Sequence, residues 1–234
     1  MSDIVIGVCG KAGAGKDTVG SIIAADYGFD VDSLAAPLRS CVCDTFGIDM
    51  YDMQDREFKE RELKDWPGWT PRQLMQVIGT DLFREQLQAD VWVRSFILRM
   101  HGSVVVTDIR FPDEVHRIRE RMGDNCLFIK VLRDMPDGAP GGVEGHVSEA
   151  HDLDCDLEVD NNGSMMDLTD KLTDFLDPYL EKKVKDGWNC THPNRFKRYH
   201  SSLGDRLCYL CNRKVASMAH YVKTYPVDLT VPSL

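Results

Sequence analysis

Short apolar runs alternate with longer amphipathic stretches along the first three quarters of the chain, which predicts strands alternating with helices and hence a parallel sheet covered on both faces. Asp3 to Cys9 reads as a buried strand, and Lys16 to Tyr27 as a helix with Val19, Ile22 and Ile23 on one face. Phe29 to Ser33 follows as a short strand, and Ala36 to Phe46 as a helix led in by Pro37. Asp49 to Trp69, charged, aromatic and punctuated by Pro67 and Gly68, predicts loops with one short helix. Thr70-Pro71-Arg72-Gln73 is a helix start, with Thr at the cap, Pro at the first helical position and Gln three after the cap. That helix should pass Leu74, Val77 and Ile78, with Gly79 either breaking it or admitting a close neighbour. Then come a helix over Ala89 to Met100, a strand over Ser103 to Thr107, a helix over Pro112 to Met122 and a strand over Cys126 to Leu132. Leu157 to Asp160 is a last short strand, and Met165 to Leu180 a closing helix with Leu168, Leu172, Phe175 and Leu176 on its apolar face. Pro136 to Gly145 packs four glycines and two prolines into one loop.

The first strand runs into Gly10-Lys11-Ala12-Gly13-Ala14-Gly15-Lys16-Asp17-Thr18, so the order is strand, glycine-rich loop, helix. A phosphate chain needs main-chain N–H groups free of obstructing side chains, a helix N-terminus and a lysine, and the spacing G-x-x-x-x-G-K supplies all three. Gly10, Gly13, Ala14 and Gly15 are therefore expected to form the cradle, with Lys16 on the β- and γ-phosphates. Asp17 stands where such loops usually carry the Ser or Thr that meets Mg²⁺, so it either joins Thr18 on the metal side or supports the first helical turn. Asp108, ending the Val104 to Val106 run, is the candidate acid for Mg²⁺ or its water, or else a turn residue; Arg110 follows as a phosphate ligand or as a partner of Asp113 or Glu114. Arg117, Arg119 and Arg121 read as a solvated helix face.

Composition bounds these expectations. The 234 residues suffice for one α/β core plus an appendage, and 43% hydrophobic with 28% charged residues is ordinary for a globular protein. No leader-like N-terminus and no span-length apolar run is present, so a cytoplasmic protein without membrane contact is expected. Residues 1–180 carry 18 Lys+Arg against 34 Asp+Glu, whereas residues 181–234 carry 10 against 4. This break divides the chain into a body, 1–180, and a basic appendage, 181–234. Cys9, Cys41, Cys126 and Cys155 lie among apolar neighbours and read as buried thiols.

Several blocks together resemble the deoxynucleoside monophosphate kinases of tailed bacteriophages: Gly15 to Thr18, Arg72 to Leu82, Trp92-Val93, Val105 to Arg110, then His146-Val147-Ser148-Glu149 and Asp160-Asn161-Asn162-Gly163. The likeness covers about residues 4–176. It implies a three-layer P-loop NTPase fold and transfer of the γ-phosphoryl group of ATP, with Mg²⁺, onto a deoxynucleoside monophosphate in a host cytoplasm. By matching position, Arg72, Gln76, Asp81 and Arg84 are implied for the acceptor nucleotide, with Arg72 on its phosphate. Arg133 is placed near the adenine or phosphates of the donor, and Asn161 either touches the base or caps the following helix. His146, Ser148 and Glu149 belong to a segment closing over the nucleotides. Segments near 49–69 and 134–150 are the mobile lid and substrate parts.

The appendage departs from that pattern. Cys190-x-His192 and Cys208-x-x-Cys211 offer two ligand pairs for a structural zinc ion, with His200 as a substitute and free thiols as the alternative. Its cations, interleaved with Phe196, Tyr199 and Tyr209, suit nucleic acid, an acidic partner or the acidic body. Two other readings therefore stay open: a P-loop kinase of another small phosphorylated acceptor, and a nucleic-acid-binding protein with an NTP switch. A homodimer is compatible with the sequence.

Overall fold

The computed structural model describes residues 3–134 and 153–187, together with the backbone of three short strands at 197–200, 205–208 and 214–217. Strand β1 (Val5–Cys9) leads through the glycine loop into helix α1 (Lys16–Tyr27), followed by β2 (Asp30–Asp32) and α2 (Ala36–Phe46). A 3₁₀ turn (Asp52–Gln54) and a short helix, α3 (Arg56–Glu60), fill the charged stretch before α4 (Pro71–Gln76). The last of these continues as a π-helical segment, Val77–Leu87, and α5 (Val91–Arg99), β3 (Val104–Val106), α6 (Pro112–Met122) and β4 (Cys126–Leu132) follow. β5 (Leu157–Asp160) and α7 (Met165–Lys185) complete the body, and β6 (Lys197–His200), β7 (Asp205–Cys208) and β8 (Lys214–Ser217) form a separate antiparallel sheet.

The body's sheet has the order β2-β3-β1-β4-β5 and every pairing in it is parallel. Alternation along β1 explains its two-sided burial. Ile4, Ile6 and Val8 face Val19, Ile23 and Tyr27 of α1 and Leu168, Leu172, Leu176 and Leu180 of α7. Val5 and Cys9 point the other way, against Val93 and Phe96 of α5 and Val115 and Ile118 of α6. Each fully buried Leu, Ile or Phe contributes roughly 1.5–3 kcal/mol relative to exposure, so these two layers hold the sheet. A third cluster, with Leu38 and Val42 of α2, Met53 of the 3₁₀ turn and Leu74 of α4, sits apart and supports the segments around the site.

Helices α2 and α6 and strands β4 and β5 have the expected limits, while α5 and the strands β2 and β3 are trimmed at their ends. The capping box at α4 forms as the sequence predicts: Gln73 N–H donates to the Thr70 hydroxyl at 3.2 Å, and Thr70 N–H to the Gln73 side chain at 2.9 Å. One open alternative is decided and three expectations are corrected. Gly79 does not break its helix; it lets α2 come close, since a Cβ there would lie 2.5 Å from Leu38 Cδ2. Helix α7 runs past Leu180 to Lys185 and through Pro178, because its leucines at 168, 172, 176 and 180 are locked in the core and outweigh the missing N–H. Cys41 is exposed, and the buried thiol of α2 is Cys43, one turn-face away. Arg117 and Arg119 are ion-paired rather than merely solvated: Arg117 meets Asp90 at 2.8 Å and Arg119 meets Asp156 at 3.3 Å. Among the described residues no helix is long and apolar enough to cross a membrane.

Candidate active site

The loop after β1 turns tightly enough that Ala14 N–H reaches Lys11 O at 3.2 Å. Gly15 sits at the helix cap with φ 99°, a left-handed conformation that suits glycine. A second reason excludes a side chain there: a Cβ on Gly15 would lie 2.3 Å from Asn161 Nδ2. Asn161 itself follows β5, donates through Nδ2 to Ala14 O at 2.8 Å, and so fastens the far sheet edge to the loop. It is not the cap of α7, which is Ser164, accepting from Asp167 N–H at 3.2 Å. Lys16 folds back over the loop, its ammonium donating to Gly10 O at 2.8 Å and Lys11 O at 2.9 Å. Asp17 is exposed and Thr18 half-buried in the first turn of α1. Arg133 is exposed just beyond β4. Directly before the loop, the thiols of Cys9 and Cys155 touch at 3.2 Å; their hydrogen bond lowers the pKa of Cys9 and raises that of Cys155.

A cleft of ≈ 260 Å³ opens beside this loop at the carboxyl end of β3, where ligands of parallel sheets bind. Among the described residues lining it are five cations, Arg39, Lys59, Arg72, Arg84 and Arg110, and two acids, Asp108 and Glu114. Arg72, Gln76, Thr80 and Arg84 come from the α4 helix and its π continuation at steps of four, which puts them on one side. Asp81 falls off that side: it is exposed, does not line the cleft and does not pair with Arg84. Trp92 closes the wall, its indole N–H donating to Gly79 O at 3.0 Å.

Each charge in the cleft is held differently. Arg72 donates from Nε to Glu60. Arg84 pairs with Asp113 at 3.1 Å and Glu114 at 3.4 Å, and its guanidinium lies 4.1 Å from the centre of the Phe111 ring. Glu114 accepts from Arg110 N–H at 2.8 Å and Phe111 N–H at 3.0 Å, which fixes the turn into α6. Burial pushes its carboxyl up to about 7 despite those bonds; Asp108 adds to the rise and Arg84 opposes it. Asp108 takes Ser33 Oγ at 2.7 Å, Leu34 N–H at 2.7 Å and Ala35 N–H at 3.0 Å, so both its oxygens tie β3 to the entry of α2. Arg39 donates to the same Ser33 hydroxyl at 2.7 Å.

The structure thus brings Arg72, Gln76, Arg84, Asp108 and Arg110 together, and Lys16, Asp17 and Asn161 at the loop. His146, Ser148, Glu149, Cys190, His192 and Cys211 lie outside the described residues, and of Cys208 only its place at the end of β7 is described. Among the described residues no three His, Cys, Asp or Glu are placed to hold a metal. Arg39, Lys59, Thr80 and Glu114 escaped the sequence reading. For Glu114 the signal was available, an acid in the first turn of a helix opened by Pro112; for Arg39 and Lys59 only three-dimensional convergence marks them.

The chain is similar to several known proteins. A family model described as deoxynucleotide monophosphate kinase matches residues 56–172. A protein of Acanthamoeba polyphaga mimivirus, named for the same kinase activity, is 30% identical over 171 residues, covering 64% of this chain and 86% of its own. In fold, a gluconokinase from Sinorhizobium meliloti aligns at 16% identity with a TM-score of 0.41, over 80% of this chain and 98% of that one. A shikimate kinase from Aquifex aeolicus aligns at 11% identity with a TM-score of 0.39, over 79% of this chain and 100% of that one.

Proposed function

The chain belongs to the deoxynucleotide monophosphate kinase family and is a phosphotransferase, and from that premise we propose that it moves the γ-phosphoryl group of ATP onto the 5′-phosphate of a deoxynucleoside monophosphate. The observation that carries this reading is the pairing of a phosphate-type loop with a neighbouring cation-rich cleft of ≈ 260 Å³. Phosphoryl transfer asks for charge neutralisation and alignment rather than for covalent help from the protein. The loop's N–H groups and Lys16 take the donor's phosphates, Lys16 exchanging the carbonyls of Gly10 and Lys11 for phosphoryl oxygens. Arg72 takes the acceptor's phosphate, while Gln76, Thr80 and Trp92 form the wall for its base and sugar.

Mg²⁺ with the nucleotide supplies charge neutralisation between the phosphates. The side chains fit an ion bound chiefly by phosphates and water: Thr18 and Asp17 stand at the start of α1, whereas both oxygens of Asp108 already accept protein hydrogen bonds. Asp108 then acts first as the brace that holds the α2 wall of the cleft, and its carboxylate would add negative charge near a bound ion. Arg110 serves the phosphates from the cleft side, and Arg133 lies at the donor side beyond β4. The division into a kinase body, 1–180, and a basic appendage, 181–234, is kept in this reading, with α7 extending across it to Lys185.

An ADP-release assay over dGMP, dTMP, dCMP, dAMP and non-nucleotide phosphorylated acceptors tests the proposal. Turnover with at least one deoxynucleoside monophosphate and ATP is expected. Turnover confined to a non-nucleotide acceptor, or to none, refutes it.

A further inference from the structure

Lys59 of α3 lines the cleft beside Arg39 and Arg72, but its situation differs from theirs. Arg72 has Glu60, and Arg39 has the Ser33 hydroxyl. Among the described residues, nothing accepts a hydrogen bond from the Lys59 ammonium and no carboxylate pairs with it. Burial and the positive charges of Arg72 and Arg39 push its pKa below that of an ordinary lysine, Arg56 adds to this, and Asp17 opposes it. An ammonium half withdrawn from water among guanidinium groups is raised in energy, and an anion between them relieves it. Arg72 and Arg84 already have carboxylate partners, so Lys59 is a charge in this cleft that a bound anion would satisfy.

Its position says which part of the anion it meets. The donor loop follows β1, and the cleft lies at the carboxyl end of β3, the parallel neighbour of β1, so Lys59 stands at the same edge of the sheet as the loop. Arg72 and Arg39 line the same cleft with it. A compact ammonium on a flexible stem can follow a group that moves, whereas a forked guanidinium held by a carboxylate stays with one partner.

We propose that Lys59 contacts the phosphoryl group while it passes from donor to acceptor, and is a catalytic residue of this enzyme. The idea rests on the kinase reading above. An oxygen of the acceptor's 5′-phosphate forms the new bond to the γ-phosphorus as the bond to the β-phosphate oxygen breaks, and the leaving electron pair stays on ADP. Lys59 keeps its proton throughout and only donates a hydrogen bond to the equatorial oxygens, where the charge is shared in transit.

The test compares wild type, Lys59→Met and Lys59→Arg in steady-state turnover, together with binding of ATP alone, of the accepted deoxynucleoside monophosphate alone, and of a bisubstrate analogue joining both through a pentaphosphate. Lys59→Met should lower kcat by about 100-fold, the scale seen when one donor to a developing charge is removed. Both KM values should stay within about threefold, and the bisubstrate analogue should bind about tenfold more weakly while each single nucleotide binds as before. Lys59→Arg should recover part of the turnover. Should Lys59→Met melt early, Lys59→Gln is read in the same way. A kcat kept within about twofold, or a loss confined to the KM of one nucleotide, overturns the proposal. Wild-type protein that phosphorylates no deoxynucleoside monophosphate overturns the kinase reading with it, whereas an active wild type and an equally active Lys59→Met overturn the role of Lys59 alone.

Discussion

The donor loop is made of main chain and the cleft of side chains, and the two tolerate change differently for that reason. In the loop, N–H groups, positive-φ glycines and Lys16 come from seven consecutive residues, Gly10 to Lys16, and Asn161 is a distant brace. In the cleft, the groups come from α2, α3, α4, its π continuation, α5, the turn before α6 and the first turn of α6 itself. Local geometry makes the first robust to changes elsewhere in the chain. Convergence makes the second sensitive to any shift of α2, α4 or α6, since the charges must be balanced as a set.

The largest expected effect breaks the loop's chemistry without breaking the fold. Lys16→Ala should reduce turnover by about 100-fold or more, because the lysine's role is to meet developing phosphate charge. Stability to denaturant should change by less than about 1 kcal/mol, since water can replace the ammonium at the Gly10 and Lys11 carbonyls. ADP release and a urea titration of the same preparation check both halves. Equal loss in the two would make Lys16 a structural residue.

A cleft residue should behave in the opposite way. Arg84→Met leaves Glu114, 5% exposed, without its cation, and should cost about 2–4 kcal/mol at pH 8. Because the Glu114 pKa is raised in the fold from 4.5 to about 7, the native protein holds this proton more tightly than the unfolded chain. Stability from this group is therefore highest at low pH and declines as pH climbs from 4.5 through about 7. Removing Arg84 takes away a charge that favours the ionised form, so the penalty should shrink at pH 5.5, where Glu114 is protonated. Denaturation midpoints at the two pH values decide it; a penalty independent of pH would show that Glu114 is not the group left unpaired. The smallest effect is expected at Asp81→Ala, with stability within about 0.5 kcal/mol and the acceptor KM within about twofold. A larger rise in KM would return Asp81 to the cleft.

The comparison also says what could be read in advance. The glycine spacing between an apolar run and an amphipathic run marks the loop in sequence, because the chemistry is carried by neighbouring peptide groups. Arg72, Gln76 and Arg84 were implied by the family resemblance, by matching position, but the same resemblance implied Asp81, one residue off the face that lines the cleft. Cys41 was misjudged for a similar reason, since it has apolar neighbours in sequence but it is Cys43 that packs with Leu38 and Met53. The closing helix was expected to end at Leu180 and runs on to Lys185, and Pro178 inside it is tolerated because a buried leucine ladder on both sides outweighs one lost hydrogen bond.

Sequence by itself determined the strands, most helix limits, the parallel α/β plan and the phosphate loop, all of which depend on periodicity or on adjacent residues. Tertiary structure alone decided that Asn161 braces the loop, that Asp108 is engaged with Ser33, Leu34 and Ala35, that Glu114 is buried beside Arg84, and that Lys59 stands among like charges. Those facts link residues up to 147 positions apart. Burial and the field of neighbouring charges, which set what an ionisable group can do, exist only once the chain has brought such distant positions together.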